Sequence, residues 1–278
     1  MAKFAICNET FGNEMTGPRW EQVCRFVADT GYDGIELAPF TFAPSVEELG
    51  SEDRRRIAQV ARDAGLDIVG LHWLMVSPPG LHINSPDLEL RRHTADYLRS
   101  LVHFCGDVGG RMMVFGSPKQ RWVAEETPRD QAWEWTAEAY RSVMPDAADR
   151  GVILCMEALP PPESNFILNA AEAAAMVRAV DHPNFRLMLD VKSMCAEERP
   201  IPEIIREFSS LVEHFHANDA NRRGPGFGDT DFRPIAVALR ECGYHQYVSV
   251  EVFDYSPDPE TIAQVSLQTL REAFGAHA

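Results

Sequence analysis

The stretch FRLMLDVKSMCAEERPIPEIIREFSSLVEHFH, residues 185–216, predicts one strand–helix–strand unit. Its two ends, residues 185–189 and 211–215, are short runs of the kind that form strands. Between them, residues 201–209 have the apolar spacing of an amphipathic helix. Two strands joined by such a helix pair in parallel, because only a crossover connection returns the chain to the same end of the sheet. The stretch therefore predicts an α/β fold with a parallel sheet.

The same alternation of short strand-like runs and longer helical segments extends over the whole chain. The predicted strands are residues 3–7, 34–37, 67–73, 111–115, 152–156, 185–189, 211–215 and 247–250. The predicted helices are residues 20–30, 45–64, 85–108, 128–150, 170–180, 201–209, 232–241 and 260–274. Eight strand–helix units in about 250 residues are typical of a (β/α)8 TIM barrel, which we predict as a single domain over residues 1–278. A dinucleotide-binding open sheet is disfavoured, because the turn at residues 8–12, NETFG, lacks the G-x-G-x-x-G motif.

Composition narrows the class of protein. The chain has 42 acidic residues against 26 Lys and Arg, a formal net charge of −16, and such a chain repels a phosphate backbone. We therefore expect no nucleic-acid partner.

No apolar run approaches the ~18 residues of a membrane span, and MAKFAIC at residues 1–7 lacks the pattern of a secretory signal. The six cysteines are scattered without a C-x-x-C pair, which favours reduced thiols and a cytoplasmic location.

The carboxyl ends of the strands form the active-site face of a (β/α)8 barrel. In the second half of the chain, four successive predicted strands end in a residue that can bind a metal: Glu157, Asp190, His216 and Glu251. Each residue alone is ordinary, because acidic residues often end strands where the chain returns to solvent. Four in succession predict a site for Mn²⁺, Mg²⁺, Co²⁺ or Zn²⁺.

With these residues the sequence resembles the xylose isomerase-like TIM barrels of the sugar phosphate isomerase/epimerase group, and among them the D-tagatose 3-epimerase-type ketose 3-epimerases. The family's metal-binding Glu, Asp, His and Glu match Glu157, Asp190, His216 and Glu251, and Mn²⁺ is the first metal that the resemblance implies.

Two further motifs carry the resemblance. EALPPPE places Glu163 six residues after the first ligand, and HANDANR places Arg222 six residues after the histidine. The loop PGFG at residues 225–228 fits the family's P-G-x-G. The resemblance implies that Glu163 and Arg222 bind a small-molecule carbohydrate substrate, and that the protein is a homodimer or homotetramer.

The activity that the resemblance implies is epimerisation or isomerisation of a ketose through an enediolate. Glu157 and Glu251 would be the catalytic acid and base beside the carbonyl. One position departs from the family: Ser193 occupies the place of a histidine that contacts substrate oxygen. We retain Ser193 as a predicted substrate contact and add His72, which ends predicted strand three. Lys192 is expected to be a solvated lysine at the rim.

Three other functions stay open. A lyase that dehydrates a keto-inositol or cleaves a keto-glycoside begins with the same proton abstraction. Because Ser193 replaces the family histidine, the lyase stays an alternative to the epimerase. An apurinic-site endonuclease shares the barrel, but Ser193 and Asp231 stand where its additional histidines would be expected. A non-catalytic sugar-binding protein is the third alternative. The loop RRGPGFGD at residues 222–229 would also suit a phosphate group.

Overall fold

The computed structural model describes residues 2–275, which contain a closed barrel of eight parallel strands. The strands are β1 (Lys3–Cys7), β2 (Gly34–Leu37), β3 (Asp67–Leu71), β4 (Met112–Phe115), β5 (Ile153–Met156), β6 (Phe185–Asp190), β7 (Val212–Ala217) and β8 (Tyr247–Val250). Neighbours pair in chain order, and β8 closes the barrel on β1. The prediction of a (β/α)8 TIM barrel is confirmed.

Helices connect the successive strands. They are α1 (Pro18–Thr30), α2 (Ser51–Asp63), α3 (Leu88–Val108), α4 (Arg129–Arg150), α5 (Ala170–Val180), α6 (Val191–Cys195), α7 (Ile201–Phe208), α8 (Phe232–Glu241) and α9 (Pro259–Gly275). Helix α1 ends at Gly31, whose φ of 103° gives the left-handed turn that a glycine adopts at little cost. The short helix α6 was not predicted, and it begins directly after β6.

Two apolar clusters hold the barrel together. The larger cluster joins the strands to the helices around them, and its buried side chains include Leu98, Tyr140 and Phe215. The smaller cluster contains strand residues alone and fills the barrel interior: Ala5, Val69, Met112, Val114, Cys155 and Met188. Strands buried on both faces are apolar along their length rather than alternating, which explains why their runs were visible in the sequence.

The predicted helix over residues 45–64 is wrong as a continuous element. Residues Val46–Glu48 form a 3-10 turn, in which the Ser45 side chain accepts a hydrogen bond from the backbone of Glu47. Gly50 is extended, and helix α2 begins after it, with Asp53 accepting the Gly50 N–H. The Asp53 carboxylate therefore caps a separate helix, α2, which begins six residues after Ser45.

The bounds of α3 and β3 also differ from prediction. Helix α3 begins at Leu88 rather than at residue 85, because the carboxylate of Asp87 accepts the backbone N–H groups of Glu89 and Leu90. Strand β3 ends at Leu71, and the chain turns at Trp73, whose φ is 52°.

Three sequence predictions concern the chain as a whole. The predicted single domain, 1–278, includes residues 1 and 276–278, which lie outside the described residues, so its extent stays a prediction. A search of the described residues for a helix long and apolar enough to cross a membrane finds none. All six cysteines have free thiols.

Candidate active site

The four predicted metal ligands lie at the carboxyl end of the barrel. Glu157 follows β5, Asp190 is the last residue of β6, His216 lies in β7, and Glu251 follows β8. Asp190 and His216 are paired in register across β6 and β7. None of the four is more than 6% exposed. Asp190, His216 and Glu251 each offer a ligand atom within 4.8 Å of the others.

The side chains around this group fit a divalent cation. Carboxylate oxygens and one imidazole nitrogen form a donor set that suits Mn²⁺, Mg²⁺, Co²⁺ and Zn²⁺. Glu157 belongs to the same electrostatic group, because burial and the charges of Glu251 and Asp190 raise its pKa to about 8. Buried carboxylates this close repel one another unless a proton or a cation lies between them.

His216 is oriented by a carboxylate behind it. Its Nε2 lies 3.0 Å from Oε1 of Glu36, and its Nδ1 lies 3.0 Å from Oε2 of Glu251. Glu36 also accepts His214 at 2.9 Å and is fully buried on β2. Burial would raise the pKa of Glu36, but the two histidines hold it well below its usual value. In the metal-free protein Nδ1 donates to Glu251, and with Nε2–H bonded to Glu36 it is Nδ1 that would be free to bind a cation after losing its proton.

A second set of donors surrounds Cys7 at the end of β1. The Cys7 thiol lies near Glu36 and His216 on one side and near Glu9 and His72 on the other. Burial and the neighbouring carboxylates, Glu36 first, raise the pKa of this thiol well above its usual value. A thiol binds metal as the thiolate, so this environment disfavours Cys7 as a ligand.

The position of Glu157 depends on two neighbours from the segment after β4. A Cβ atom on Gly116 would lie 2.2 Å from Glu157 Oε2, so the glycine leaves the space that this carboxylate occupies. The fully buried Arg121 donates from Nη1 to the backbone carbonyl of Glu157 at 2.6 Å. It also donates to the Ile167 carbonyl and to the Ser164 hydroxyl, at 3.3 and 3.4 Å.

Glu163 forms an ion pair with Lys192. The Lys192 ammonium lies 2.6 and 2.8 Å from the two carboxylate oxygens, and the lysine is 6% exposed. The expectation of a solvated rim lysine is therefore wrong. Lys192 lies in helix α6, which follows Asp190 directly, and Asn218 fixes the start of that helix by donating to Asp190 Oδ2 and accepting the Lys192 N–H.

Cations and aromatic rings meet on the β8 side of the barrel mouth. Phe253, just after Glu251, lies 5.5 Å from the Arg222 guanidinium and 4.6 Å from the Lys192 ammonium, measured to the ring centre. Trp73 lies 6.1 Å from the same ring. Arg222 is exposed and has a φ of 69°, in the left-handed region that non-glycine residues rarely adopt.

The other two predicted substrate contacts are both buried. Ser193 is 5% exposed, and its hydroxyl has no hydrogen-bond partner among the described residues. His72 is 1% exposed, and its Nε2 lies 2.7 Å from Oε2 of Glu9. Substrate contact by either residue stays a prediction.

The loop RRGPGFGD folds around a carboxylate. Asp219 accepts the N–H and hydroxyl of Thr230, and a Cβ on Gly228 would lie 2.4 Å from its carboxyl carbon. The glycine is therefore needed for close approach to Asp219. An acidic side chain at this position disfavours phosphate binding by the same loop.

Sequence reasoning missed the partners that lie far away along the chain. Glu9, Arg121 and Asn218 were not identified, and Glu36, which lies in predicted strand two, was not among the predicted metal ligands. A signal was present for Glu36 and Glu9, since each lies at or just after the carboxyl end of a predicted strand, where functional side chains gather. Nothing local marks Arg121, whose role depends on a loop 36 or more residues away.

Comparison with known proteins identifies the family. The xylose isomerase-like TIM barrel family matches residues 24–273, and the chain belongs to that family. A D-psicose 3-epimerase of Ruminiclostridium cellulolyticum is 32% identical over 242 residues, which cover 82% of this chain and 76% of the relative. A fructoselysine 3-epimerase of Shigella flexneri is 23% identical over 260 residues, covering 90% and 92%.

The fold is also that of solved epimerase structures. A D-psicose 3-epimerase crystallised in the presence of D-fructose superposes with a TM-score of 0.85 at 22% identity, covering 98% of this chain and 99% of that one. At this identity the likeness concerns the fold. The named relatives act on different compounds, so they do not specify a substrate for this chain.

Proposed function

We propose that this protein is a divalent-metal-dependent ketose epimerase. The observation that carries the proposal is the buried group of Glu157, Asp190, His216 and Glu251 at the carboxyl end of the barrel. Two observations support the proposal: relatives of this chain include 3-epimerases, and three of the residues that the resemblance assigned to metal binding, Asp190, His216 and Glu251, have ligand atoms within 4.8 Å of one another. We propose Mn²⁺ as the preferred ion, a cytoplasmic location and a homo-oligomeric state.

The four ligands would hold the cation, with His216 oriented by Glu36. When bound, the metal supplies Lewis-acid polarisation of the substrate carbonyl. The surrounding protein keeps the site dry, because all four side chains are buried. Electrostatic interactions in such a low-dielectric site are stronger than in water.

Glu157 and Glu251 differ in charge in a way that suits acid and base roles. Burial raises the pKa of Glu157 to about 8, with Glu251 and Asp190 adding to the effect. Burial would raise the pKa of Glu251 as well, but the adjacent His216 holds it below its usual value. In the metal-free protein, Glu157 therefore holds a proton near neutral pH and Glu251 does not, which supports a donor role for the first and an acceptor role for the second.

The proposed reaction transfers one proton at each face of a carbon next to the carbonyl. The Glu251 carboxylate removes the proton, and the electron pair of the broken C–H bond forms an enediolate. Protonated Glu157 then delivers its proton to the opposite face of the same carbon, which inverts it. Glu251 ends protonated and Glu157 ionised, and exchange with solvent or a reverse turnover restores the starting state.

Four residues at the mouth are proposed to bind the substrate. Arg222 would stabilise negative charge on the substrate oxygen, as a cation near a developing oxyanion does. Glu163 would accept a sugar hydroxyl, and Ser193 would offer its unpartnered hydroxyl. His72 would contact the substrate from the β3 side of the barrel mouth, next to Trp73.

A lyase is the second candidate, and Ser193 favours it. Without the family histidine, the substrate oxygen that it contacts has a different neighbour, and an enediolate can then expel a β-hydroxyl or a sugar group instead of being reprotonated. As a lyase, the protein would act on keto-inositols or keto-glycosides. Product analysis separates the two reactions, because only the lyase releases water or an aglycone.

The test is deuterium exchange by the Mn²⁺-loaded protein. A panel of ketoses and keto-polyols in D₂O is followed by NMR with wild type, Glu251→Gln and Glu213→Gln. Glu213 lies at the amino end of β7, away from the site, and is the matched control. We expect deuterium next to the carbonyl with wild type and Glu213→Gln, and at least about 10³-fold less with Glu251→Gln.

Exchange by Glu251→Gln at the wild-type rate would contradict the role of that residue. Absence of exchange with every compound, while Mn²⁺ is bound, would exclude simple ketoses and redirect the search to keto-glycosides.

A further inference from the structure

Lys192 is held at three points beside the predicted metal ligands. Its ammonium pairs with both oxygens of Glu163 at 2.6 and 2.8 Å. The same ammonium lies 4.6 Å from the centre of the Phe253 ring. The backbone N–H of Lys192 donates to Asn218 at 2.7 Å, and Asn218 in turn donates to Asp190 at 2.6 Å. A long, flexible side chain is thus confined to one position.

The confined charge acts on the ligands themselves. Lys192 lies two residues after Asp190, and its positive charge lowers the pKa values of Glu157, Asp190 and Glu251, against the larger effect of burial on each of them. It is also the residue before Ser193, which has no side-chain partner. The position where the family has an imidazole is therefore a neutral hydroxyl here, and a cation stands next to it.

Stability alone does not account for a buried lysine. Burying an ion pair costs desolvation that its own attraction barely offsets, and an apolar side chain of similar volume is often equally stable. The ion pair by itself is therefore weak evidence for a purely structural role of Lys192.

We propose that Lys192 supplies the fixed positive charge of the reaction site, balancing the metal-binding carboxylates and offsetting the negative charge left on the substrate when a proton is removed. This rests on the proposed epimerase function and adds a residue specific to this chain. With Glu157 protonated, as the proposed reaction requires, the three negative charges of Asp190, Glu251 and Glu163 face the four positive charges of a divalent cation, Lys192 and Arg222. Proton removal then moves one negative charge from the Glu251 carboxylate to the substrate, and without Lys192 no surplus positive charge would remain in the site to stabilise it there.

The inference has a consequence that a merely structural lysine would not produce. Removing a positive charge near a cation site strengthens cation binding, whereas damage to the site weakens it. We expect Lys192→Met to bind Mn²⁺ on the order of three- to tenfold more tightly than wild type. At the same time its turnover in the D₂O exchange assay should fall on the order of 10²-fold.

Mn²⁺ affinity is measured without substrate, by titration calorimetry, on wild type, Lys192→Met, Lys192→Arg and Arg54→Met. Lys192→Arg keeps the charge and should retain wild-type affinity and most of the turnover. Arg54 is the matched control, since it is a partly buried cation on α2 that pairs with Asp107 at 2.9 Å. Its loss should leave Mn²⁺ affinity unchanged, and circular dichroism verifies that each variant is folded.

Tighter Mn²⁺ binding together with slower turnover in Lys192→Met alone supports the inference. Unchanged or weaker Mn²⁺ binding, or wild-type turnover, in folded Lys192→Met overturns it. The wild-type arm tests the proposed function separately, because wild type that binds no Mn²⁺ and exchanges no proton contradicts the epimerase assignment itself.

Discussion

Glu157 and Glu251 carry the same side chain at the ends of two strands, yet their surroundings differ. Glu157 lies against the Gly116 backbone, and the charges that affect its pKa most are the carboxylates of Glu251 and Asp190. Glu251 has the His216 ring 3.0 Å away. At the residue scale, the neighbour rather than the side-chain type decides which carboxyl keeps a proton near neutral pH.

The raised pKa of Glu157 predicts how stability depends on pH in the chelator-treated protein. The unfolded chain loses this proton near its usual pKa of 4.5, whereas the folded protein keeps it until about pH 8. Between these values the folded state binds more protons, so the free energy of unfolding falls as pH rises. The stabilisation is complete below about pH 4.5 and is lost as pH rises through about 8.

Urea unfolding between pH 5 and 9 measures this dependence. Glu157→Gln has no such proton to lose, and its stability should fall less over the same range than that of wild type. Adding Mn²⁺ at pH 8 should restore the stability of wild type, because a cation that binds only the folded state stabilises it. If the free energy of unfolding changed with pH in the same way for wild type and Glu157→Gln, the raised pKa of Glu157 would be contradicted.

At the scale of elements, the segment between β5 and α5 carries both Glu157 and Glu163 and is held by Arg121. Ile167 in this segment has a φ of 58°, which is unfavourable for a β-branched residue. Its carbonyl accepts both the Leu159 N–H at 3.1 Å and the Arg121 guanidinium at 3.3 Å. Hydrogen bonds to one buried arginine therefore maintain a backbone shape that the segment would not adopt alone.

We expect Arg121→Met to lower the free energy of unfolding by about 2–4 kcal/mol, because the buried acceptors lose their donor. Turnover should fall as well, since the Glu157 backbone is no longer held. Arg129→Met is the control: Arg129 bonds the Asn165 carbonyl of the same segment, but it is exposed, and its loss should cost less than about 1 kcal/mol. Urea unfolding measures the free energy of unfolding of both variants. Equal losses in Arg121→Met and Arg129→Met would contradict the role of Arg121 in holding this segment.

At the scale of the whole molecule, the barrel must close with every strand in register. The contact between β3 and β4 is short, with two register pairs, Gly70 with Met112 and Leu71 with Met113. A Cβ on Gly70 would lie 1.9 Å from the Met112 carbonyl oxygen. Closure of the sheet at this point depends on the absence of a side chain.

Gly70→Ala should therefore lower the free energy of unfolding by about 4 kcal/mol or more, at the upper end for single substitutions, because backbone has to move. Gly50→Ala is the matched control, since its nearest contact would be the Asp53 carboxylate at 3.5 Å and its φ of −69° suits alanine. Thermal unfolding by circular dichroism checks both variants. A Gly70→Ala protein as stable as Gly50→Ala would show that the strands can separate at little cost.

The strands and most helices were predictable, because buried parallel strands and amphipathic helices leave local patterns. The starts of α2 and α3 were not, because each helix is capped by an aspartate further along the chain than the predicted serine: Asp53 accepts the Gly50 N–H, and Asp87 accepts the Glu89 N–H. Helix α6 was missed since its five residues are too few to show a period.

The sequence by itself determined the order of strands and helices, the barrel they form, and the four residues that end its second-half strands, because each of these depends on contacts between near neighbours or on a fixed rule of strand direction. Tertiary structure alone decided the environment of those residues. Glu36 reaches His214 and His216 across 178 and 180 positions, and Arg121 reaches Glu157 across 36. Charge, burial and proton position depend on such distant partners, since electrostatic interactions act through space and not along the chain.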